Sequence, residues 1–369
     1  MKFVCERELL CEAAVKISNA VSSKSALPAL EGILIVSEGE KIKLTGFDLE
    51  LGMTTKIDAR IIKNGKLLIN AKIFCDILRK AAGDTVTVDV DDKNTATINS
   101  GNSEFSVLTI DSGEYPELPS INESSSFIIE CGMLKDMVSG TKFAVAVVDT
   151  KPALTGLCFD IDNKDIKIVA IDGYRLAIRN GKINFDGKLH FIIPVKTLNE
   201  ILKLISDDSA GVEIKVGARH IVINIDEYTV ISRLLDGDFI DYKAAIPKEF
   251  SSEVILQTKD MIDCVERISL IISDRLKSPV RCSVREDIIT VRCSTSIGKA
   301  FDEFSCKNNG DNIEIGFNNR YLLDALHACY TDEVKIRFNG PLAPITILPI
   351  EEEDFLYLVL PVRLKADDN

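Results

Sequence analysis

The side chains that could carry chemistry in this 369-residue chain are three His, ten Cys and a large pool of carboxylates. Their spacing points away from catalysis. His190, His220 and His327 have no histidine four residues away, so two imidazoles cannot share a helix face as H-E-x-x-H zinc chemistry requires. Cysteines 5, 11, 75, 131, 158, 264, 282, 293, 306 and 329 show no C-x-x-C pair, which removes zinc ribbons and thioredoxin-like redox chemistry. Most sit in apolar runs such as Gly156-Leu157-Cys158-Phe159, where Cys acts as a small hydrophobe. There is no G-x-x-x-x-G-K-[ST] loop and no G-x-S-x-G elbow. Asp48 and Asp172 end equivalent strands without a cluster of acids, and Glu351-Glu352-Glu353-Asp354 reads as a solvated hairpin loop. No catalytic residue, metal site or cofactor is expected.

The elements behind these residues repeat. Leu27-Pro28-Ala29-Leu30-Glu31-Gly32 recurs as Thr150-Lys151-Pro152-Ala153-Leu154-Thr155-Gly156, an offset of about 124. Lys41-Ile42-Lys43-Leu44 and Asp48 recur at the same offset around Ile166-Lys167-Ile168 and Asp172, and Asp111-Ser112-Gly113-Glu114-Tyr115 is echoed by Asp236-Gly237-Asp238-Phe239-Ile240. A fainter third copy passes through Ser278-Pro279-Val280. A third of 369 is about 123, so three domains are expected, over residues 1–121, 122–247 and 248–369. Each holds two amphipathic helices of about three turns, near 8–17, 71–80, 132–143, 196–205, 259–272 and 318–329. The intervening strands alternate with period two, which predicts antiparallel sheets covered on one face and an α+β fold.

Composition bounds the partners. Hydrophobic residues make up 46% and charged residues 27%, a folding composition. The N-terminus turns charged within eight residues, and no apolar run reaches the ~18 residues of a membrane span, so a reducing cytoplasm and no membrane partner are expected. The net charge of −13 at first opposes nucleic acid. The expected helices, however, carry about 12 Lys and Arg against about 10 Asp and Glu, so they are roughly +2 and the remainder about −15. Good helix formers alone explain part of that split. A helix face turned toward a polyanion, with acidic outer strands, explains the rest.

Specific runs add to this pattern. Met1-Lys2-Phe3, Leu44-Thr45-Gly46-Phe47-Asp48-Leu49-Glu50, Asp172-Gly173-Tyr174-Arg175-Leu176-Ala177, Glu314-Ile315-Gly316-Phe317-Asn318 and Leu360-Pro361-Val362-Arg363-Leu364 together resemble the bacterial sliding-clamp family, the beta subunits of DNA polymerase III, over nearly the whole chain. The resemblance implies a ring of two head-to-tail protomers, helices toward double-stranded DNA, sheets outside, and processivity without chemistry or base readout. It also implies a non-catalytic holoenzyme subunit, cytoplasmic and nucleoid-associated. The partners implied are the polymerase alpha subunit, the clamp loader, other proteins with clamp-binding motifs, and a second copy of the chain. A peptide-binding scaffold of the same fold that does not encircle DNA is the competing reading.

The resemblance also implies sites. A pocket for partner peptides would comprise Leu154, Ile171, Gly173, Tyr174, Arg175, Leu176, Ile240, Ala245, Asn318, Tyr321, Leu342, Pro344, Leu358, Leu360, Pro361, Val362 and Arg363, with Arg and Tyr at its rim. Ile240 and Tyr174 depart from residues frequent in the family, as do Val148 and Val195 at positions that are polar or basic elsewhere, and the tail 365–369 runs past its usual end. DNA would meet Lys24 and Lys196, joined by the helix cations Lys72, Arg79, Lys80, Lys142 and Lys203. Across a dimer seam, Phe105 and Val107 would face the partner's Ile271 and Ile272, and Glu104 would pair with Lys299.

Overall fold

The computed structural model describes residues 1–121, 125–148, 151–273, 278–351 and 354–364. Thr150 of the second Pro-Ala-Leu motif, Glu352 and Glu353 of the acidic run, and the tail 365–369 lie outside the described residues.

Three stretches of the chain run through the same order of elements. The first holds β1 (Lys2–Glu6), α1 (Arg7–Ser18), β2 (Gly32–Glu38), β3 (Lys41–Phe47), β4 (Leu51–Asp58), β5 (Arg60–Lys63), β6 (Lys66–Asn70), α2 (Ala71–Lys80), β7 (Thr85–Val90), β8 (Thr95–Ser100) and β9 (Ser103–Leu108). The second holds β10 (Ser125–Glu130), α3 (Cys131–Ser139), β11 (Gly156–Asp162), β12 (Asp165–Ile171), β13 (Arg175–Lys182), β14 (Lys188–Pro194), α4 (Val195–Leu204), β15 (Gly211–Val216), β16 (His220–Ile225) and β17 (Tyr228–Arg233). The third holds β18 (Ser252–Gln257), α5 (Thr258–Ser269), β19 (Val280–Arg285), β20 (Ile288–Thr295), β21 (Gly298–Ser305), β22 (Lys307–Gly310), β23 (Ile313–Phe317), α6 (Asn319–His327), β24 (Glu333–Phe338), β25 (Ile345–Pro349) and β26 (Phe355–Val359).

The sequence offset is also a structural register. Leu34 pairs with Thr45 and Lys41 with Asp58, while Cys158 pairs with Val169 and Asp165 with Lys182, each 124 residues on. Helix α2 shows why such a segment folds as it does. Ala71, Phe74, Cys75, Ile77 and Leu78 are buried on one face; the Asn70 carboxamide accepts from the Ile73 N–H; Arg79 and Lys80 sit at the end where the helix dipole favours cations. The helix expected near 132–143 stops at Ser139. There the Thr141 hydroxyl donates to the Met137 carbonyl and a short 3-10 turn, Lys142–Ala144, takes over, so Lys142 is not on the helix.

The chain forms two compact units, residues 1–132 with 196–234, and residues 133–195 with 235–369. They divide the second stretch between them, because two of the sheets run on from one stretch into the next. In the first unit β10-β15-β16-β17 continues through β4-β3-β2-β6 as one eight-stranded sheet. In the second, β14-β11-β12-β13 continues through β26-β25-β24-β18-β22 as one of nine. Each unit also has a smaller sheet, β5-β1-β7-β8-β9 in the first and β21-β20-β19-β23 in the second. Helix α1 packs on β3 and β4, and α5 on β20 and β21.

Gly46 in β3 lies tight under α1: a Cβ there would stand 2.5 Å from the Ile17 carbonyl oxygen. Gly46→Ala should therefore cost about 1–3 kcal/mol by overpacking. Thermal and urea unfolding would measure it; an unchanged midpoint would show that α1 is not held as closely as described.

Candidate functional site

Between β12 and β13 the chain reverses through Asp172-Gly173-Tyr174. The Asp172 carboxylate accepts from the Tyr174 and Arg175 N–H groups, and Gly173 takes a φ of +86°, a left-handed conformation that favours glycine. This turn aims Arg175 inward. Its Nε donates to the second Asp172 oxygen at 2.9 Å and its Nη1 meets Asp324 of α6. The guanidinium lies 4.6 Å from the ring centre of Tyr321 and 5.5 Å from that of Phe143. The Arg175 side chain is only 10% exposed, so it braces the turn from below and does not form the expected rim. The rim residue is Tyr174, 58% exposed, stacked on Tyr321 with ring centres 5.6 Å apart.

Behind the turn lies an apolar cluster. Leu154, Ile171, Leu176 and Leu358 are buried together with Cys158, Val169 and Tyr242, and Ile240, Phe239 and Ile246 pack on them. Strand β26 reaches this cluster by pairing with β13, Leu358 opposite Leu176, and the Leu360 N–H then donates to the Tyr174 carbonyl. The chain runs on to Gly316, whose carbonyl accepts from the Val362 N–H; a Cβ at Gly316 would stand 2.7 Å from the Val362 carbonyl oxygen, so glycine fits this close approach. Tyr242 is fixed by donating to Asp160. Burial, then that bond, raises the Tyr242 phenol. Burial works to raise Asp160, but the Tyr242 hydroxyl and Lys243 outweigh it and hold the carboxyl below its ordinary range. Burial pushes Cys158 up to about 12, so its thiol is a packing group and not a nucleophile.

The structure distributes the expected pocket members over several places. Leu154, Ile171, Leu176, Leu358 and Ile240 share the cluster, and Gly173, Tyr174, Arg175, Tyr321 and Leu360 share the turn and its rings. Asn318 caps α6 by accepting from Arg320 and Tyr321 N–H groups, which sets the Tyr321 ring in place. Pro344 lines a small cleft of about 70 Å³ with Ile246, Phe250, Arg337 and Leu356. Ala245, Leu342, Val362 and Arg363 stand exposed outside the cluster, and Pro361 is half-buried. Phe143, Asp324 and Ile246 were not anticipated. Phe143 and Asp324 both contact Arg175, and their separation in sequence hides that.

Lys24, Lys72, Arg79, Lys80, Lys142, Lys196 and Lys203 are all exposed. Arg79 pairs with Asp76, Lys203 with Glu200, and Lys196 with Asp48. The Asp48 carboxylate also accepts from Glu50 and Leu51 N–H groups, as Asp172 does in its own turn. Both aspartates are thus turn formers. Among the described residues no three His, Cys, Asp or Glu side chains gather as a metal-holding group, and no helix is long and apolar enough to cross a membrane. Phe105, Val107, Ile271 and Ile272 are half-buried within the chain, and Glu104 and Lys299 are exposed.

Comparison with known proteins accounts for this arrangement. Residues 1–119, 129–241 and 243–363 match the N-terminal, central and C-terminal domains of the DNA polymerase III beta subunit. The chain is 30% identical to the beta sliding clamp of Bacillus subtilis, covering 98% of this chain and 100% of that one, and 30% identical to that of Halalkalibacterium halodurans with the same coverage. The crystal structure of the Bacillus subtilis clamp superposes with a TM-score of 0.96 at 29% identity, over 99% and 100% of the two chains. That of the Pseudomonas aeruginosa beta subunit gives 0.93 at 26%, also over 99% and 100%. With three matched domains and full-length relatives, the chain belongs to the DNA polymerase III beta subunit family, the bacterial sliding clamps, non-catalytic subunits that give the replicative polymerase its processivity.

Proposed function

We propose that two copies of this chain close head to tail around duplex DNA, that the three domains are residues 1–121, 122–247 and 248–369, and that the Tyr174 region takes short peptide segments of partner proteins. The observation that carries the ring is the pair of unmatched sheet edges. Strand β17 pairs with β4, Tyr228 opposite Thr55, and β26 pairs with β13, Leu358 opposite Leu176. By position in the repeat, β9 corresponds to β17 and β26, and β21 to β4 and β13. Among the described residues both β9 and β21 stand at the ends of their sheets with no strand paired beyond them. The two internal junctions transfer to one and the same register for a β9–β21 pair: Glu104 opposite Phe301, Phe105 opposite Ala300, Val107 opposite Gly298, Leu108 opposite Ile297.

Burial supports that register. Side chains 104, 106 and 108 and their partners 301, 299 and 297 are exposed, while 105, 107, 300 and 298 are half-buried on the other face. A slip of one residue would mix the faces. Leu270 occupies the position of Phe143, which meets Tyr357 edge-on at 5.3 Å, so Leu270 should meet the partner's Phe105 beside Ile271 and Ile272. Leu270, Leu108, Ile297 and Phe301 are 84, 77, 71 and 61% exposed in the single chain, apolar area of the kind that marks an interface. Lys299 falls diagonally across from Glu104, within reach of a long side chain.

For DNA, Lys24, Lys72, Arg79, Lys80, Lys142, Lys196 and Lys203 supply loose phosphate contact, and the carboxylates holding Arg79, Lys196 and Lys203 temper that contact. For peptides, the alpha subunit, the clamp loader and other motif-bearing proteins would lay an apolar anchor beside Tyr174 and Leu360, worth about 1.5–3 kcal/mol per buried side chain. On this reading the protein works in the cytoplasm, at the nucleoid.

Three outcomes check this reading. Loaded on nicked circular DNA, the protein should stay bound and then slide off when the circle is cut; equal retention on both forms would sink the ring. A Leu108→Cys, Ile297→Cys double variant should cross-link into covalent dimers on mild oxidation, since directly opposite positions bring Cβ atoms to about 4.5–5.5 Å. Leu108→Cys with Asp302→Cys should not, and equal yields would refute the register. Arg175→Ala should leave the dimer intact but lower affinity for a polymerase-derived peptide at least about tenfold, because Asp172 and Asp324 lose their counter-ion and Tyr321 its support; unchanged affinity would remove the turn from the site.

A further inference from the structure

The same row of side chains can be followed across the outer face of all three repeats. In the first it runs Leu68, Leu34, Thr45, Thr54, and in the second Ile192, Cys158, Val169, Ile178. In the third it runs Gly316, Arg281, Arg292, Phe301. The first two rows are covered by the chain itself. The acidic connector Asp111-Ser112-Gly113-Glu114-Tyr115 crosses one, with the Tyr115 hydroxyl donating to the Thr45 carbonyl. The connector Asp236-Gly237-Asp238-Phe239-Ile240-Asp241-Tyr242 covers the other, its Phe239, Ile240 and Tyr242 packed on Cys158, Val169 and Ile178.

The third row has changed chemistry. Arg281 and Arg292 stand directly opposite each other on β19 and β20, an arrangement of like charges that destabilises a sheet. Arg281 is braced by Glu314 at 3.1 Å, while Arg292 is exposed. Phe301 stands opposite Arg292 with most of its ring in water, and exposed Lys299 lies one row on, opposite Ser294. The acidic exterior expected from a net charge of −13 is thus interrupted here by a basic face with an aromatic centre.

The geometry points to this face as a docking site for an acidic, extended peptide segment of another protein, bearing an aromatic residue, laid across β19, β20 and β21 as the connectors are laid across the other two repeats. Its carboxylates would meet Arg281, Arg292 and Lys299, and its ring would stack on Phe301. Phe301 and Lys299 on β21 border the protomer seam proposed above, while Arg281 and Arg292 stand on the inner strands β19 and β20; the face is apart from Tyr174, so it can be occupied together with the peptide region already described.

The test uses the full-length protein and a fluorescein-labelled synthetic peptide, Asp-Gly-Asp-Phe-Ile-Asp-Tyr, followed by anisotropy. Binding should weaken as salt rises. It should fall about tenfold in Arg292→Glu and less in Arg292→Gln and Phe301→Ala, with sedimentation unchanged in the Arg292 variants. Tyr174→Ala should leave it unaltered, which separates this face from the peptide region. Equal affinity of wild type and Arg292→Glu would overturn the proposal. So would tighter, Arg292-dependent binding of a single-stranded oligothymidine, which would make the ligand a nucleic acid. Binding that appears only after residues 365–369 are deleted would overturn it as well, by showing that the chain covers this face itself.

Discussion

Backbone pairing between strands of different repeats is the constraint on which the rest of this molecule depends. Five cross-strand pairs join β17 to β4 and five join β13 to β26. A β-strand edge is a row of unpaired donors and acceptors, and burying it requires a partner strand. Once each repeat presents one donor edge and one acceptor edge, the chain can satisfy two such meetings internally. It is left with one edge of each kind. The helices, the connectors and the turn at Asp172 are then placed by the sheets they lie against. The Tyr174 region exists because β26 arrives beside β13 and carries Leu358 and Leu360 to the end of β12.

Much of this was legible in the residues, and for a physical reason. A strand period of two and a helix period near 3.6 are local properties, so Thr85–Val90 and Ala71–Lys80 could be bounded from their own composition. The repeat was legible because the Pro-Ala-Leu turn and the strand-ending aspartate need particular backbone geometry. What was not legible depends on distance in the chain. That Arg175 lies inside, between Asp172 and Asp324 and against Tyr321, is fixed by a helix some 150 residues later. Nor could the sequence alone divide the chain into its two compact units, since strand order across a junction is a long-range fact.

Charge required the same correction of scale. A net −13 describes the whole surface, whereas binding is decided by a few square nanometres. On the helices, the excess cations gather on α2 and α4, where Arg79, Lys196 and Lys203 already have carboxylate partners. That leaves a surface that attracts phosphate weakly, suited to movement along a polyanion. On β19 and β20, by contrast, two arginines share a row, a concentration that the total conceals.

The covering connectors have a mechanical consequence. At both internal junctions a sheet pairing is backed by a covalent strap whose aromatic residues are packed down, Tyr115 on one and Tyr242 on the other. The junction proposed between protomers has the pairing alone. Under a pulling or twisting load, a ring closed in that way would part first at that place, and without unfolding. The exposed Leu270, Leu108 and Ile297 set the resistance, at about 25 cal/mol for each square ångström of apolar surface returned to water. A closed circle with one unstrapped joint per protomer can persist unattended and still be parted by a modest, localised force.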